Sequence, residues 1–320
     1  MAPREREPHA PVMAAEALEL LAPPAGGTVA DFTVGAGGHA RLLAARLGAR
    51  GRLIGFDKDP AALALAAERL QPPPELAGDW PRIELVQASF AEAGAALRQR
   101  GIAALEAALA DLGLSSMQLA APERGFSFLA DAPLDMRMDP RQALTAEQVV
   151  NQFGERELAD LIYQFGEERR SRRIARAIVR ARPLRTSAEL ARVVAAASRP
   201  MKTSRRAGRL HPATRTFQAL RIYVNSELED LERWLEQLPG LLAPGGKAAV
   251  IAFHSLEDRR VKQAFRGADR ARFRVLTPHP LRPAAEEIER NPRARSARLR
   301  GLERMAPGGG DDGYRRGTED

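Results

Sequence analysis

Two runs decide the fold: Thr28-Val-Ala-Asp31-Phe-Thr-Val34-Gly35-Ala-Gly37-Gly38-His39, and after it Arg52-Leu-Ile-Gly-Phe56-Asp57. Thr28 to Val34 is short, apolar and β-branched, so it reads as a strand. It runs into a glycine loop, and His39 to Leu47 then reads as a helix. Glycines at such a joint allow a tight turn and let backbone N–H groups come close to a ligand. Arg52 to Phe56 reads as a second buried strand, ending on Asp57. An acid placed about twenty residues beyond a glycine loop suits a carboxylate that accepts hydrogen bonds from ribose hydroxyls.

Working outward, Pro60 to Leu70 is alanine-rich and helical, Ile83 to Val86 is a third strand, and Leu105 to Ala110 a fourth that ends at Asp111. Strands alternating with helices predict a parallel sheet covered on both sides. The texture changes at Met117. From there to Arg209 the pattern is helical, with segments Ala146 to Asn151, Glu155 to Gln164, Glu167 to Arg180 and Ser187 to Ala197, and no strand stands out. Beyond it, Thr216 to Leu238 reads as one long helix. An Ala243-Pro-Gly-Gly246 turn then leads into the strand Lys247 to Phe253. The expected organisation is a sheet domain over residues 1–116, a helical substrate-recognition insert over 117–209, the sheet domain resumed over 210–304, and a polar, glycine-rich, disordered tail over 305–320.

Composition narrows the chemistry. The 320 residues, 44% of them hydrophobic, suffice for one large and one smaller domain. No run approaches the ~18 apolar residues of a membrane span, and the opening Met1-Ala-Pro-Arg-Glu-Arg-Glu lacks the apolar core of a signal peptide. A cytoplasmic protein is expected. Cysteine is absent, which excludes thiolate zinc sites, iron–sulfur clusters and cysteine nucleophiles. Methylation of a pyrimidine carbon usually runs through a thiolate adduct, whereas methylation of an amine or hydroxyl needs none. The five histidines show no metal-ligand spacing, so no metal is expected.

The net charge of +8 favours polyanionic partners. Its basic residues crowd three stretches: Arg169, Arg170, Arg172, Arg173, Arg176, Arg180, Arg182 and Arg185; then Arg199, Lys202, Arg205, Arg206 and Arg209; then Arg290, Arg293, Arg295, Arg298 and Arg300. Solvated helix faces are the plain reading of any one cluster. Three together point to nucleic acid.

The glycine loop fits two cofactors. Gly35-x-Gly37-x-x-Ala40 satisfies the dinucleotide fingerprint, and a helix N-terminus would suit a pyrophosphate. Against this, Asp31 would face that anion. S-adenosylmethionine carries an ammonium and a sulfonium, and for it an acid at Asp31 is useful.

Further segments sharpen the reading. DLGLSSMQL, APERGFSF and DAPLDMRMD lie within Asp111 to Asp139, YQFGEERRSRRIARAIV spans Tyr163 to Val179, and HPATRTFQALRIYVNSEL spans His211 to Leu228. FHSLEDRRVK (Phe253 to Lys262), NPRARSARLR (Asn291 to Arg300) and the opening His9-Ala-Pro-Val12 complete an ordered series. It resembles the ribosomal RNA small-subunit cytosine-N4 methyltransferases of the MraW type, from about His9 to Arg304. The resemblance implies an α/β fold: a class I (Rossmann-like) methyltransferase sheet with an inserted all-helical domain. It also implies S-adenosylmethionine as cofactor, bound by Gly37, Gly38, His39, Asp57 (on the ribose), Phe90 (near the adenine), Asp111 and Gln118. The implied partner is 16S ribosomal RNA in the small subunit, and the chain is open to forming a homodimer.

Other residues carry competing roles. His211, Thr214 and Arg215 could grip the RNA backbone or the target base, as could His254, Ser255 and Asp258; His254 could equally be a strand-end histidine bonded within the core. Asp135, Arg137 and Asp139 are either an ion-pair turn or an edge of the pocket, and Phe126 and Phe128 read as core before base-stacking platforms. No general base is assigned. The rival functions are a nicotinamide-dependent oxidoreductase and a non-catalytic RNA-binding or ribosome-assembly protein.

Overall fold

In a computed structural model, residues 11–115, 117–118, 121–198 and 211–306 are described. Among them, seven strands form one sheet: β1 (Thr28–Asp31), β2 (Arg52–Asp57), β3 (Arg82–Gln87), β4 (Leu105–Asp111), β5 (Leu242–Ala252), β6 (Phe273–Val275) and β7 (Arg298–Arg304). Their order is β3-β2-β1-β4-β5-β7-β6. The first five run parallel, and β7 runs antiparallel to both its neighbours. This is the Rossmann-like α/β sheet expected. The chain steps outward from β1 through β2 to β3, then crosses back to place β4 and β5 on the other side of β1. Such a switch point leaves a crevice at the carboxyl ends of the strands, where open α/β sheets bind ligands.

The strands form where the apolar runs predict because helices cover both faces. From Ala107 on, alternate residues of β4 serve opposite cores, and the register shift between Leu105 and Ala107 sets Leu105 with the even-numbered side. Leu105, Ala108 and Ala110 join Phe32, Phe56, Leu97, Trp234 and Leu238 on one side. Ala107 and Leu109 join Met13, Leu21, Leu43, Leu47 and Leu299 on the other. The helix Pro60–Arg69 starts where the Asp59 carboxylate accepts the Ala61 N–H (3.1 Å), with Pro60 in its first turn.

The chain divides into two compact units. One holds the sheet, up to Gly113 and again from Asp230; the other runs Leu114–Glu229. The second unit carries the helices Ala146–Gln152, Glu155–Gly166, Ser171–Ala181, Ser187–Ser198 and Thr214–Asn225. The expected insert of residues 117–209 lies inside it, and the unit extends further. Thr214–Asn225 packs on Glu155–Gly166 so closely that a Cβ on Gly166 would stand 2.5 Å from the Arg215 carbonyl oxygen.

Several expectations are corrected. Thr216 to Leu238 is not one helix. Thr214–Asn225 ends at Ser226, a left-handed residue (φ 51°) whose N–H returns to the carbonyls of Ile222 and Tyr223, and Glu227–Leu241 begins anew. The Asn225 side chain is occupied at this break, donating to Met136 O (2.8 Å) and accepting from Met138 N (2.7 Å). Likewise Glu167 (φ 48°) ends one helix, so the next is Ser171–Ala181 rather than Glu167 to Arg180. β1 stops at Asp31, after which Phe32 N bonds Leu109 O and Val34 N bonds Phe56 O as the chain turns. Helix Ala14–Leu21 and strands β6 and β7 are additions. The second basic cluster (residues 199–209), His9 and Ala10, and nearly all of the tail lie outside the described residues.

Candidate functional site

The loop after β1 is held by its neighbours. Thr33 N donates to Asp31 Oδ1 (3.1 Å), and Thr33 Oγ1 accepts the N–H of Asp111 at the end of β4 (2.6 Å). Across β2, Asp57 Oδ2 accepts from Gly35 N and Oδ1 from Asp59 N, both at 2.9 Å. Gly37, at φ 84°, precedes the helix Gly38–Leu47. A Cβ there would meet Leu70 at 3.3 Å, and one on Gly38 would meet Pro11 at 3.3 Å. Glycine is therefore favoured by conformation at Gly37, and at both positions a side chain would press on its neighbour.

Three carboxylates and one imidazole converge here. His39 is buried, and its Nε2 lies 3.5 Å from Asp111 Oδ2. That is close enough for attraction but too long for a good hydrogen bond, and Nε2 and Asp111 Oδ1 are both buried without a hydrogen-bond partner. Burial pushes Asp31 up to about 6, opposed by the charge of His39 and the Thr33 N–H. Burial likewise pushes Asp57 up to about 6, against the backbone N–H groups of Asp59 and Gly35. For His39 burial favours the neutral ring, but the Asp111 and Asp31 carboxylates outweigh it and raise its pKa. Two unpartnered polar atoms beside an excess of acids suit a ligand with cationic groups. A pyrophosphate would face Asp31, Asp57 and Asp111 together.

On the far side of β2, Ser89 opens a short 3-10 turn as its N-cap, accepting Ala91 N while its own N–H bonds Glu92. Phe90 follows, half-buried, with its ring 5.9 Å from that of Trp234. Trp234 in turn packs on Phe32, and Phe32 stacks on Phe56 at 5.3 Å. Phe32 and Val34, beside the glycines, thus serve the two cores.

The family model described as the MraW methylase family matches residues 6–305. The chain belongs to that family. Among its relatives, the "Ribosomal RNA small subunit methyltransferase H" of Koribacter versatilis is 55% identical over 302 residues, covering 94% of this chain and 95% of the relative. The protein of that name in Synechococcus elongatus is 50% identical over 299 residues, covering 93% and 95%. A solved rRNA methylase from Streptococcus thermophilus aligns over 91% of this chain and 93% of its own at 13% identity, with a TM-score of 0.42. The cofactor of this methylase is S-adenosylmethionine, and the residues fit it. Such a cofactor brings ribose hydroxyls, an adenine ring and cationic groups, and the residues gathered here offer a carboxylate at Asp57, an aromatic ring at Phe90 and further acids at Asp31 and Asp111.

The sheet unit of the methylase thus brings Gly37, Gly38, His39, Asp57, Phe90 and Asp111 to one end of β1–β4. Gln118 belongs to the helical unit, where it is buried and its Oε1 accepts Ser115 N (3.1 Å). The candidate substrate residues divide the same way. In the helical unit, the His211 ring stacks on Phe128 (4.5 Å), and Phe217 meets Phe128 edge-on. Thr214 N bonds His211 O, and Arg215 reaches the Glu167 carbonyl at 3.0 Å.

In the sheet unit, His254 and Ser255 open the helix Ser255–Gly267. His254 is its N-cap, in a reciprocal arrangement with buried Glu257, whose Oε2 accepts the N–H groups of Phe253 and His254. Asp258 turns toward β7, accepting from Arg298 Nη1 (2.8 Å) and Arg300 Nε (2.7 Å). Burial would raise its pKa, but the two guanidiniums hold it below the ordinary carboxylate value. The third basic cluster is corrected accordingly: Arg290, Arg293 and Arg295 are exposed, but Arg300 is buried as a partner of Asp258.

LDMRMD forms an ion-pair turn. Arg137 grips Asp135 through two 2.8 Å bonds, and Arg141 pairs with Asp139. In the first basic cluster, Arg182 binds the carbonyls of Val150 and Phe153, and Arg170 that of Ser198. Arg169, Arg172, Arg173 and Arg180 are exposed. Among the described residues no group of three histidines or acids could hold a metal, and no helix is long and apolar enough to cross a membrane. Sequence reasoning missed Thr33 and Asp230. Thr33 lies within the quoted loop but carries no motif role there, Asp230 lies outside every quoted motif, and each acts through the strand or loop that the fold lays beside it.

Proposed function

We propose that this methylase transfers the methyl group of S-adenosylmethionine to the exocyclic N4 of a cytidine in 16S ribosomal RNA, acting in the cytoplasm on the small ribosomal subunit. The observation that carries the reading is the acid-lined switch point, where Asp31 and Asp111 act on His39 and Asp57 lies close enough to act on Asp31. It favours a cationic methyl donor over a nicotinamide dinucleotide. The names of the relatives support the small-subunit target, and the absence of cysteine fits methylation of an amine.

The cofactor supplies an electrophilic methyl group on a sulfonium. The protein's part is to bind, orient and exclude water. An exocyclic cytosine amine is a weak nucleophile because its lone pair is delocalised into the ring, so alignment with the methyl group is the main assistance available. Asp57 and Phe90 hold the adenosine, and Asp111 holds the cationic half. The helical unit offers Arg169, Arg172, Arg173 and Arg180 to the phosphate backbone. Mass spectrometry of ribosomal RNA from cells with and without this protein tests the proposal. Loss of one N4-methylated cytidine from 16S RNA is expected, and an unchanged modification pattern would refute it.

A further inference from the structure

Asp230 is the first residue of the sheet unit after the helical unit, and it is buried. It pairs with the Lys58 ammonium and accepts a hydrogen bond from Ser89 Oγ at 2.7 Å. Lys58 directly follows Asp57, and its own N–H helps hold the Asp57 carboxylate. Ser89 directly precedes Phe90 and caps the turn that carries it. One carboxylate therefore joins the loop after β2 to the loop after β3. Farther along the same face of helix Glu227–Leu241, Trp234 meets the Phe90 ring, and Gln237 donates to Ala91 O in that turn (2.8 Å) and accepts from Gly94 N in the helix Ala93–Gln99 that follows it (3.1 Å).

We infer that Asp230 is a positioning residue for the adenosine half of the cofactor, clamping the ribose-binding and adenine-facing loops at a fixed separation. The inference rests on the cofactor reading above. Neither loop is tied to the other by a regular element at this point. β2 and β3 end at Asp57 and Gln87, and beyond them the loops also meet through Ala88 N–Asp57 O (3.1 Å) and the longer Gln87 Nε2–Lys58 O contact (3.4 Å). A clamp of this kind acts on binding. It is distant in role from the methyl group, so it should govern the affinity for adenosine-containing ligands and leave turnover at saturation unchanged.

The test compares S-adenosylhomocysteine with 5′-methylthioadenosine, which lacks the amino-acid half, by calorimetry on the full chain. In Asp230→Ala both dissociation constants should rise by the same factor, about tenfold or more. KM for S-adenosylmethionine should rise while kcat is kept. Asp230→Asn retains an acceptor for Ser89 but loses the ion pair, so it should fall between. If Asp230→Ala does not fold, Lys58→Met and Ser89→Ala each remove one arm and should each weaken both ligands. Unchanged affinity in these variants would overturn the inference, as would a loss confined to S-adenosylhomocysteine. If the wild-type chain binds neither ligand, the cofactor reading itself falls, and the clamp with it.

Discussion

At the scale of single residues, the site's chemistry is a matter of which acids are charged. Asp31 and Asp57, raised from 3.8 to about 6, hold protons more tightly folded than unfolded. The ligand-free protein therefore gains stability as pH falls through about 6 toward the ordinary carboxylate range. His39, raised above 6.5, acts in the same direction; its contribution is complete below its unfolded value and is lost as pH rises through its folded one. With Asp57 on the ribose as proposed, ligand affinity should move oppositely, because protonation takes one of the two acceptor oxygens that a pair of ribose hydroxyls would use. Between about pH 8 and about pH 5.5, the thermal midpoint of the free protein should rise while S-adenosylhomocysteine binding weakens, and Asp57→Asn should bind poorly and keep only the part of the pH dependence that Asp31 and His39 contribute. A wild-type affinity indifferent to pH would remove Asp57 from the ribose. Asp111→Ala should abolish cofactor binding by calorimetry, and unchanged binding would refute that assignment. Asp57 and Gly37 were legible because a glycine loop and the next strand's acid are local patterns. Asp230 was not, since its meaning depends on two loops far away in sequence.

At the scale of elements, two substitutions probe how the pieces hold together. Asp258→Ala leaves Arg300 buried beside Arg298 without its carboxylate. Breaking such a pair should cost about 3–5 kcal/mol, read as a lower urea midpoint with an unchanged slope. Gly125 has φ 69°, and a Cβ there would stand 2.1 Å from the Pro133 carbonyl oxygen. Gly125→Ala should therefore destabilise the helical unit by about 1–3 kcal/mol or more, seen as a lowered thermal midpoint. β1 to β5 were readable from apolar runs bounded by glycine and acids. The helix break at Ser226 was not, since no glycine or proline marks it and the left-handed turn depends on Asn225 meeting Met136 and Met138 across the fold. β7 was hidden by charge. Arg298 and Arg300 read as solvated until Asp258, on another element, is seen to receive them.

At the scale of the whole molecule, the arginine excess should show itself as salt dependence. RNA affinity should fall steeply with added salt, and Arg172→Glu with Arg173→Glu should weaken binding and flatten the slope while cofactor affinity is kept. A flat wild-type dependence would remove the exposed face of helix Ser171–Ala181 from the contact. The order in which the sheet is threaded has a separate consequence. β4 finds its second neighbour, β5, only after the entire helical unit has been synthesised. At ~5–20 residues per second, the apolar edge Leu105–Asp111 waits on the order of ten seconds for Leu242–Ala252 to emerge. Vectorial synthesis thus leaves a half-built sheet with an open border, and the nascent chain is most open to misassembly while its helices are being made.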